Sequence, residues 1–254
     1  MKSLRFISLL SLGLMLIFGT TTFAADSVSS FNWTGPYVGV HLGYGWGNAD
    51  TAFSPLPTTA GFFNLAPATL SPNPSGVIGG LQAGCNYQAG SFVFGIDADF
   101  SGTGMSGTTT VSPIIQSDGT PFPGDGLLRA HQDIDWYGTL RPRVGYAVLP
   151  TLLVYATGGL AYGDVTYSAK TDFRPAGAAA YATHFSKTKA GWTVGGGVEY
   201  AVSTHITVRA EYLYMDLGSE SANVNPNIVL PPYQVGYKWE TTANIFNVGV
   251  NYKF

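Results

Sequence analysis

Eight ionisable side chains in this 254-residue chain sit on the polar faces of alternating segments. Asp97 and Asp99 flank Ala98, Arg141 and Arg143 flank Pro142, and Arg209 and Glu211 flank Ala210; Asp135 and Glu199 occupy the polar faces of their own segments. An i, i+2 spacing puts both members of a pair on one side of a strand. Gathered in a narrow interior, five acids and three arginines have to pair or hold water, because an unpaired buried charge costs several kcal/mol. Arginine suits this, since its planar fork grips carboxylates with two bonds. Other residues invite further chemistry. His184 and Ser186 share a face if their segment is extended, like a base beside a nucleophile, with Glu199 as a downstream acid. Yet about a dozen residues of strand rise separate Glu199 from that pair, far beyond hydrogen-bond reach. Asp97-Ala98-Asp99-Phe100-Ser101-Gly102 opens like a calcium loop, but the twelfth position is Thr108 where a bidentate Glu is needed, and no helices flank it. Of His41, His131, His184 and His205, only His131 and His184 fall where an outside haem could reach them. The lone Cys85 leaves no cluster for zinc. No catalytic residue, metal site or cofactor is expected.

The elements that must hold these residues are strands. The last ten residues alternate without a break: Phe246, Val248, Val250, Tyr252 and Phe254 point one way, Asn247, Gly249, Asn251 and Lys253 the other. One face is oily and ends on an aromatic, as in a strand with lipid outside and a polar lumen inside. Seven earlier runs read alike, at 36–48, 76–88, 92–100, about 131–148, 152–166, 187–202 and 206–214, with the last beginning near Trp239. The fifth is apolar on both faces, so its orientation is ambiguous. Runs two and three, four and five, and six and seven are joined by a few residues each. The remaining links, 50–75, 105–130, 169–186 and 218–238, are long and rich in Pro, Gly, Ser, Thr and Asn. Short turns on one side and long loops on the other predict an eight-stranded antiparallel up-and-down transmembrane β-barrel, with short periplasmic turns and long extracellular loops.

Composition and the N-terminus agree. Only 11% of residues are charged, aromatics reach 14%, and Gly numbers 33, against a usual charged share of about 25%. A soluble lipocalin-like barrel would carry many Lys and Glu outside. Lys2 and Arg5, an apolar run over 9–18 and Thr22-Phe23-Ala24 form a secretory signal peptide, cut after Ala24 or Ala25. The apolar run is shorter than the roughly 20 residues that a membrane helix needs. The expected organisation is a signal peptide over 1–24, a short segment over 25–32 and a barrel over 33–254. Without the leader, ten basic and fifteen acidic residues remain, a net charge of −5, and there is no basic patch for nucleic acid.

Phe31-Asn32-Trp33-Thr34-Gly35-Pro36-Tyr37-Val38-Gly39, leading to Gly43-Tyr44-Gly45-Trp46-Gly47, resembles the opening of the small outer-membrane β-barrel surface proteins of Gram-negative bacteria, the opacity-type or porin-like surface antigens. Thr157-Gly158-Gly159-Leu160-Ala161-Tyr162-Gly163, residues 192–200, Arg209-Ala210-Glu211-Tyr212 and residues 247–254 resemble the family's later blocks in the same order. The resemblance covers essentially the whole mature chain. It implies the cell outer membrane as location. It says little about activity, because members are described as structural proteins, adhesins, haem binders or small porins. Some eight-stranded lipases acting on lipid A use a His-x-Ser pair, but Thr183 and Lys187-Thr188-Lys189 do not match their motif.

The expected role is therefore structural or surface-interacting (adhesin-like), in a barrel whose lumen is plugged by ion pairs among Asp97, Asp99, Asp135, Arg141, Arg143, Glu199, Arg209 and Glu211. An eight-stranded interior is just wide enough for side chains to fill. The rival is a small porin passing small hydrophilic solutes; haem binding and lipid A modification rank below it. Tyr37, Trp46, Trp136, Tyr146, Tyr212, Tyr214, Tyr252 and Phe254 are expected in aromatic girdles. Expected partners are outer-membrane lipids and lipopolysaccharide, the barrel-assembly machinery through the C-terminal strand ending in Phe254, and an extracellular or host partner through loops bearing Phe53, Phe62, Phe63 and Leu230-Pro231-Pro232-Tyr233.

Overall fold

The alternating runs become strands, and the strands close on themselves. The computed structural model describes residues 31–56, 65–122, 126–172, 180–225 and 234–254. Residues 1–30, Phe62, Phe63 and Leu230-Pro231-Pro232-Tyr233 lie outside the described residues, and with them the expected signal peptide. In chain order the strands are β1 Gly35–Asn48, β2 Thr51–Leu56, β3 Ala68–Leu70, β4 Ser75–Ala89, β5 Phe92–Val111, β6 Leu127–Leu149, β7 Leu152–Asp172, β8 Ala180–Ala201, β9 Ile206–Val224 and β10 Gln234–Lys253. Neighbours pair antiparallel, and β1 pairs back onto β10 from Tyr37↔Lys253 to Asn48↔Thr242, closing a ring of eight. Closure removes the edges that a hydrocarbon environment cannot satisfy. β2 and β3 form a small hairpin that carries the line of β1 farther up β10, with Thr51 opposite Trp239 and Leu70 opposite Thr51.

The strands are longer than their alternation suggested. A tilted membrane strand needs about 9–11 residues, whereas β6 has 23 and β8 has 22. The expected loops at 105–130, 169–186 and 218–238 are therefore corrected: β5 continues to Val111, β6 starts at Leu127, β7 reaches Asp172, β8 starts at Ala180, β9 reaches Val224 and β10 starts at Gln234. The reason is an inversion of polarity along the long strands β5 to β10. Near the short turns, β7 exposes Val154, Leu160 and Tyr162 and turns Tyr155 and Thr157 inward. Farther up, it exposes Lys170, leaves Asp164, Thr166 and Ser168 half-buried outside, and buries Val165, Tyr167 and Ala169 inside. The first pattern belongs to a strand in lipid; the second to a strand whose outside meets water. This also settles the orientation of the fifth run.

The interior follows the same division. At the far end an apolar core unites Phe53, Leu70, Ile78, Met105, Tyr167, Tyr237 and Trp239 with their neighbours. At the turn end a second cluster joins Phe31, Trp33, Val93, Leu153, Tyr155 and Ala201. Phe31 and Trp33 meet edge to face at 4.7 Å, and the Trp33 backbone N–H donates to Gln88 Oε1 at 2.8 Å, so the segment before β1 fills the barrel's turn-side mouth. Between the two clusters lies a polar layer.

Candidate functional site

The polar layer is built from inward positions on β1, β4, β5, β6, β7, β8, β9 and β10. Seven charged side chains form one chain of contacts in which sign alternates at every step. Asp99 accepts from Arg141 Nη2 at 3.0 Å, and the same guanidinium donates to Glu211 Oε1 at 3.1 Å. Glu211 meets Arg209 Nη2 at 3.6 Å. Arg209 Nη1 reaches Asp97 Oδ1 at 3.4 Å, Asp97 Oδ2 lies 3.4 Å from Arg143 Nη1, and Arg143 Nη2 donates to Glu199 Oε2 at 2.8 Å. Asp99 and Asp97 are on β5, Arg141 and Arg143 on β6, Glu199 on β8, Arg209 and Glu211 on β9. Arg141 and Arg143 thus reach carboxylates on strands beyond their own neighbours, across the lumen. All seven are buried, Arg141 completely.

Neutral groups close the ends. Thr139 donates to Asp99. Thr207 and Asn251 Nδ2, the latter at 2.9 Å, donate to Glu199 Oε1. Tyr155 donates to Glu211 Oε2 at 3.0 Å, and its ring lies 4.2 Å from the Arg143 guanidinium carbon. His41 bridges Gln82 Oε1 at 3.1 Å and Ser101 Oγ at 2.8 Å. Glycines provide the room: a Cβ on Gly84 would collide with the Tyr37 hydroxyl, and one on Gly197 would come within 2.8 Å of that of Tyr155.

Two sequence expectations need correction. Asp135 is not in the lumen. The β6–β7 register shifts between Ile134 and Trp136, so Ile134 turns inward and buried while Asp135 is exposed, accepting from the Thr166 hydroxyl at 3.0 Å. An extra residue in a ladder reverses the phase of the residues beyond it, and alternation cannot see it. Tyr37 is not a girdle residue. It is buried inside, its hydroxyl donates to Asp97, and Arg143 Nη1 lies 3.2 Å away. The signal was present: Tyr37 has the parity of Gly39 and His41, which point inward. Tyr155, Thr139, Thr207, Gln82 and Asn251 are further members that sequence reasoning missed, since neutral side chains on a polar face carry no mark of their own.

The outward aromatics form two rings. Trp46, Trp136, Tyr162, Trp192, Tyr212 and Tyr214 surround the upper level, with ring pairs at 6.4 Å for Trp46–Tyr212, 6.1 Å for Trp136–Tyr162 and 5.4 Å for Trp192–Tyr214. Tyr146, Tyr200, Tyr252 and Phe254 face outward near the short turns. The remaining candidates do not converge. His184 and Ser186 face outside, Ser186 Oγ contacts Thr166 at 2.6 Å, and Glu199 is inside with Arg143. His131 contacts Asp133 at 2.8 Å on the outer face. Asp97 and Asp99 are committed to arginines, Tyr37 and Thr139.

Comparison with known proteins agrees with a barrel of the outer membrane. The model of the outer membrane protein beta-barrel domain matches residues 10–254. The chain belongs to this outer-membrane β-barrel family. It is 34% identical over 252 residues to the 31 kDa outer-membrane immunogenic protein of Brucella melitensis biotype 1, covering 94% of this chain and 95% of the relative. It is 30% identical to that organism's 25 kDa outer-membrane immunogenic protein over the full length of both, and 31% identical to a 22 kDa outer membrane protein of Rhizobium leguminosarum bv. viciae, covering 77% and 74%. Among solved structures, the outer membrane protein OprG from Pseudomonas aeruginosa aligns with a TM-score of 0.49 at 15% identity, over 88% of this chain and 97% of that one. The barrel is thus a surface protein of the cell outer membrane, and its outer band meets lipid and lipopolysaccharide.

Proposed function

We propose that this outer-membrane barrel is a closed scaffold with a structural or surface-interaction, adhesin-like role, and that its lumen does not carry solute. One observation supports this most: the seven-residue chain of alternating charges crosses the lumen with every member buried. Breaking it leaves uncompensated charge buried, which costs several kcal/mol. The Phe31–Trp33 cluster on one side and the apolar core on the other add two further closures. The strands' long extension beyond the lipid band, with charged and hydroxyl side chains outside, gives the barrel a broad surface to present. Relatives named for immunogenicity fit such a surface. The exposed Phe254 at the end of β10 is the group we assign to recognition by the barrel-assembly machinery.

The test is single-channel conductance of the refolded mature barrel in a planar bilayer, with Arg141→Ala alongside. The expected result is a silent wild type; because the two apolar closures remain in Arg141→Ala, steps in the variant alone would single out the ion-pair chain as the decisive barrier. Discrete long-lived steps in the wild type would overturn the reading in favour of a small porin, with a cation preference set by four lumen acids over three arginines.

A further inference from the structure

The barrel wall is incomplete above the lipid band. β8 and β9 pair from Ala201↔Thr207 up to Trp192↔Asp216 and no farther. Both strands continue: β8 stays paired with β7 up to Asp172↔Ala180, and β9 with β10 up to Val235↔Val224. The fork has a local cause. At its base the strands are still in close contact, since a Cβ on Gly191 would collide with the Asp216 carbonyl oxygen. Just beyond, Gly218 adopts a φ of 73°, and its N–H donates to Asp216 Oδ1 at 2.7 Å, so β9 turns away. Side chains alone span the opening: Lys187 Nζ reaches Glu220 Oε1 at 2.9 Å, and Lys189 Nζ reaches Glu220 Oε2 at 3.0 Å and the Ser219 carbonyl at 2.6 Å.

The fork therefore presents two facing backbone edges. Among the described residues no strand pairs with the β9-facing side of residues 182–191 or with the β8-facing side of residues 217–224. In hydrocarbon this would be prohibitive; above the band, water solvates the free groups. The complement of a free strand edge is another extended backbone. Side chains in the fork narrow the choice of guest. Phe185, Lys187 and Lys189 share one face of β8. Phe185 is half-buried, with Tyr167 and Trp239 at ring distances of 5.4 and 5.6 Å. A guest strand would rest an apolar side chain on Phe185 and set acids over Lys187 and Lys189, in the place of Glu220.

We propose that the fork between β8 and β9 is a docking groove for an extended polypeptide whose lumen-facing positions are acidic beside Lys189 and Lys187 and apolar beside Phe185, held by β-augmentation of the β8 edge. This extends the surface-interaction reading by naming a partner class, and it stands whether or not the lumen conducts, because its test reads peptide binding alone. The probe is a fluorescent eight-residue threonine peptide with two glutamates and then two valines at alternate positions, titrated onto the full-length barrel in lipid nanodiscs. The expected result is saturable binding that falls at least tenfold when alternate peptide amides are N-methylated. It should fall similarly in a Lys187→Ala/Lys189→Ala barrel, in which one exposed and one largely buried side chain are removed, neither of them part of the apolar core. Hydrogen exchange gives a second readout: the alternate amides of 182–191 that face β9, not those bonded to β7, should exchange fast in the free barrel and slow on peptide addition. Absence of binding, equal binding of the N-methylated peptide, or β9-facing amides already protected without peptide would each overturn the proposal.

Discussion

Arg141 touches two carboxylates from different walls, Asp99 on β5 and Glu211 on β9, so its loss strands Asp99 without a cation and leaves Glu211 to Arg209 and Tyr155. Arg141→Ala should destabilise the barrel by about 3–5 kcal/mol, the usual cost of removing one partner from a buried pair. Arg141→Lys should recover only part, because one ammonium cannot reproduce the fork. Urea unfolding in lipid vesicles, followed by the gel-mobility change of the folded barrel, measures both. Asp135→Asn should stay within about 0.5 kcal/mol in the same assay, as an exposed surface change does; a cost like that of Asp97→Asn would place Asp135 back inside. The contrast marks what the sequence made legible at this scale. Asp97, Asp99, Arg141, Arg143, Glu199, Arg209 and Glu211 lie on unbroken alternation close to the short turns, so parity alone finds their face. Asp135 lies beyond the register shift at Ile134, and no residue type there announces it. Tyr37 was misplaced because an aromatic type outweighed its parity.

Each of the long strands β5 to β10 is two strands in one, a membrane half and an aqueous half with faces exchanged. Val248, between Leu42 and Ala210 in the ladder, faces lipid. Val248→Arg should destabilise by about 2–4 kcal/mol near the bilayer midplane. Thr166→Arg, on the outer face of the aqueous half of β7, should leave stability unchanged. Tyr167→Ala, on the opposite face and fully buried against Phe185 and Trp239, should cost about 3–5 kcal/mol, as large aromatic truncations do. Equal effects of Arg at 248 and at 166 in vesicle unfolding would remove the inversion. The same inversion explains why the membrane halves were readable and the aqueous halves were not. In lipid, the outer residues must be oily, which makes alternation conspicuous. Above it, outer Thr, Ser, Asp and Lys with small inner residues such as Ala130 and Ala169 have the composition of a loop, and only the pairing reveals strand.

The five tryptophans report on the whole molecule because they divide among its compartments. Trp33 is buried in the turn-side mouth and Trp239 in the apolar core of the far end. Trp46, Trp136 and Trp192 face outward in the upper aromatic ring. From Tyr146 to Trp136 on β6 is ten positions, or about 33 Å of strand at ~3.3 Å per residue. At a tilt of about 40° that is near the 25 Å height of an outer-membrane barrel's apolar band. Lipid brominated near the headgroup end of its chains should therefore quench the fluorescence of Trp46, Trp136 and Trp192 and spare Trp33 and Trp239. A triple Trp46→Phe/Trp136→Phe/Trp192→Phe barrel should lose the quenching, while Trp33→Phe and Trp239→Phe should keep it. Quenching that tracks Trp239 would put the far-end core inside the bilayer. The outer Asp and Lys side chains of β7 would then face hydrocarbon at several kcal/mol each, a cost that a barrel of this size does not survive. Three quenched tryptophans would fix the upper lipid boundary at their ring, leaving the fork between β8 and β9 in water, where its open edges are chemically tolerable and accessible to a partner.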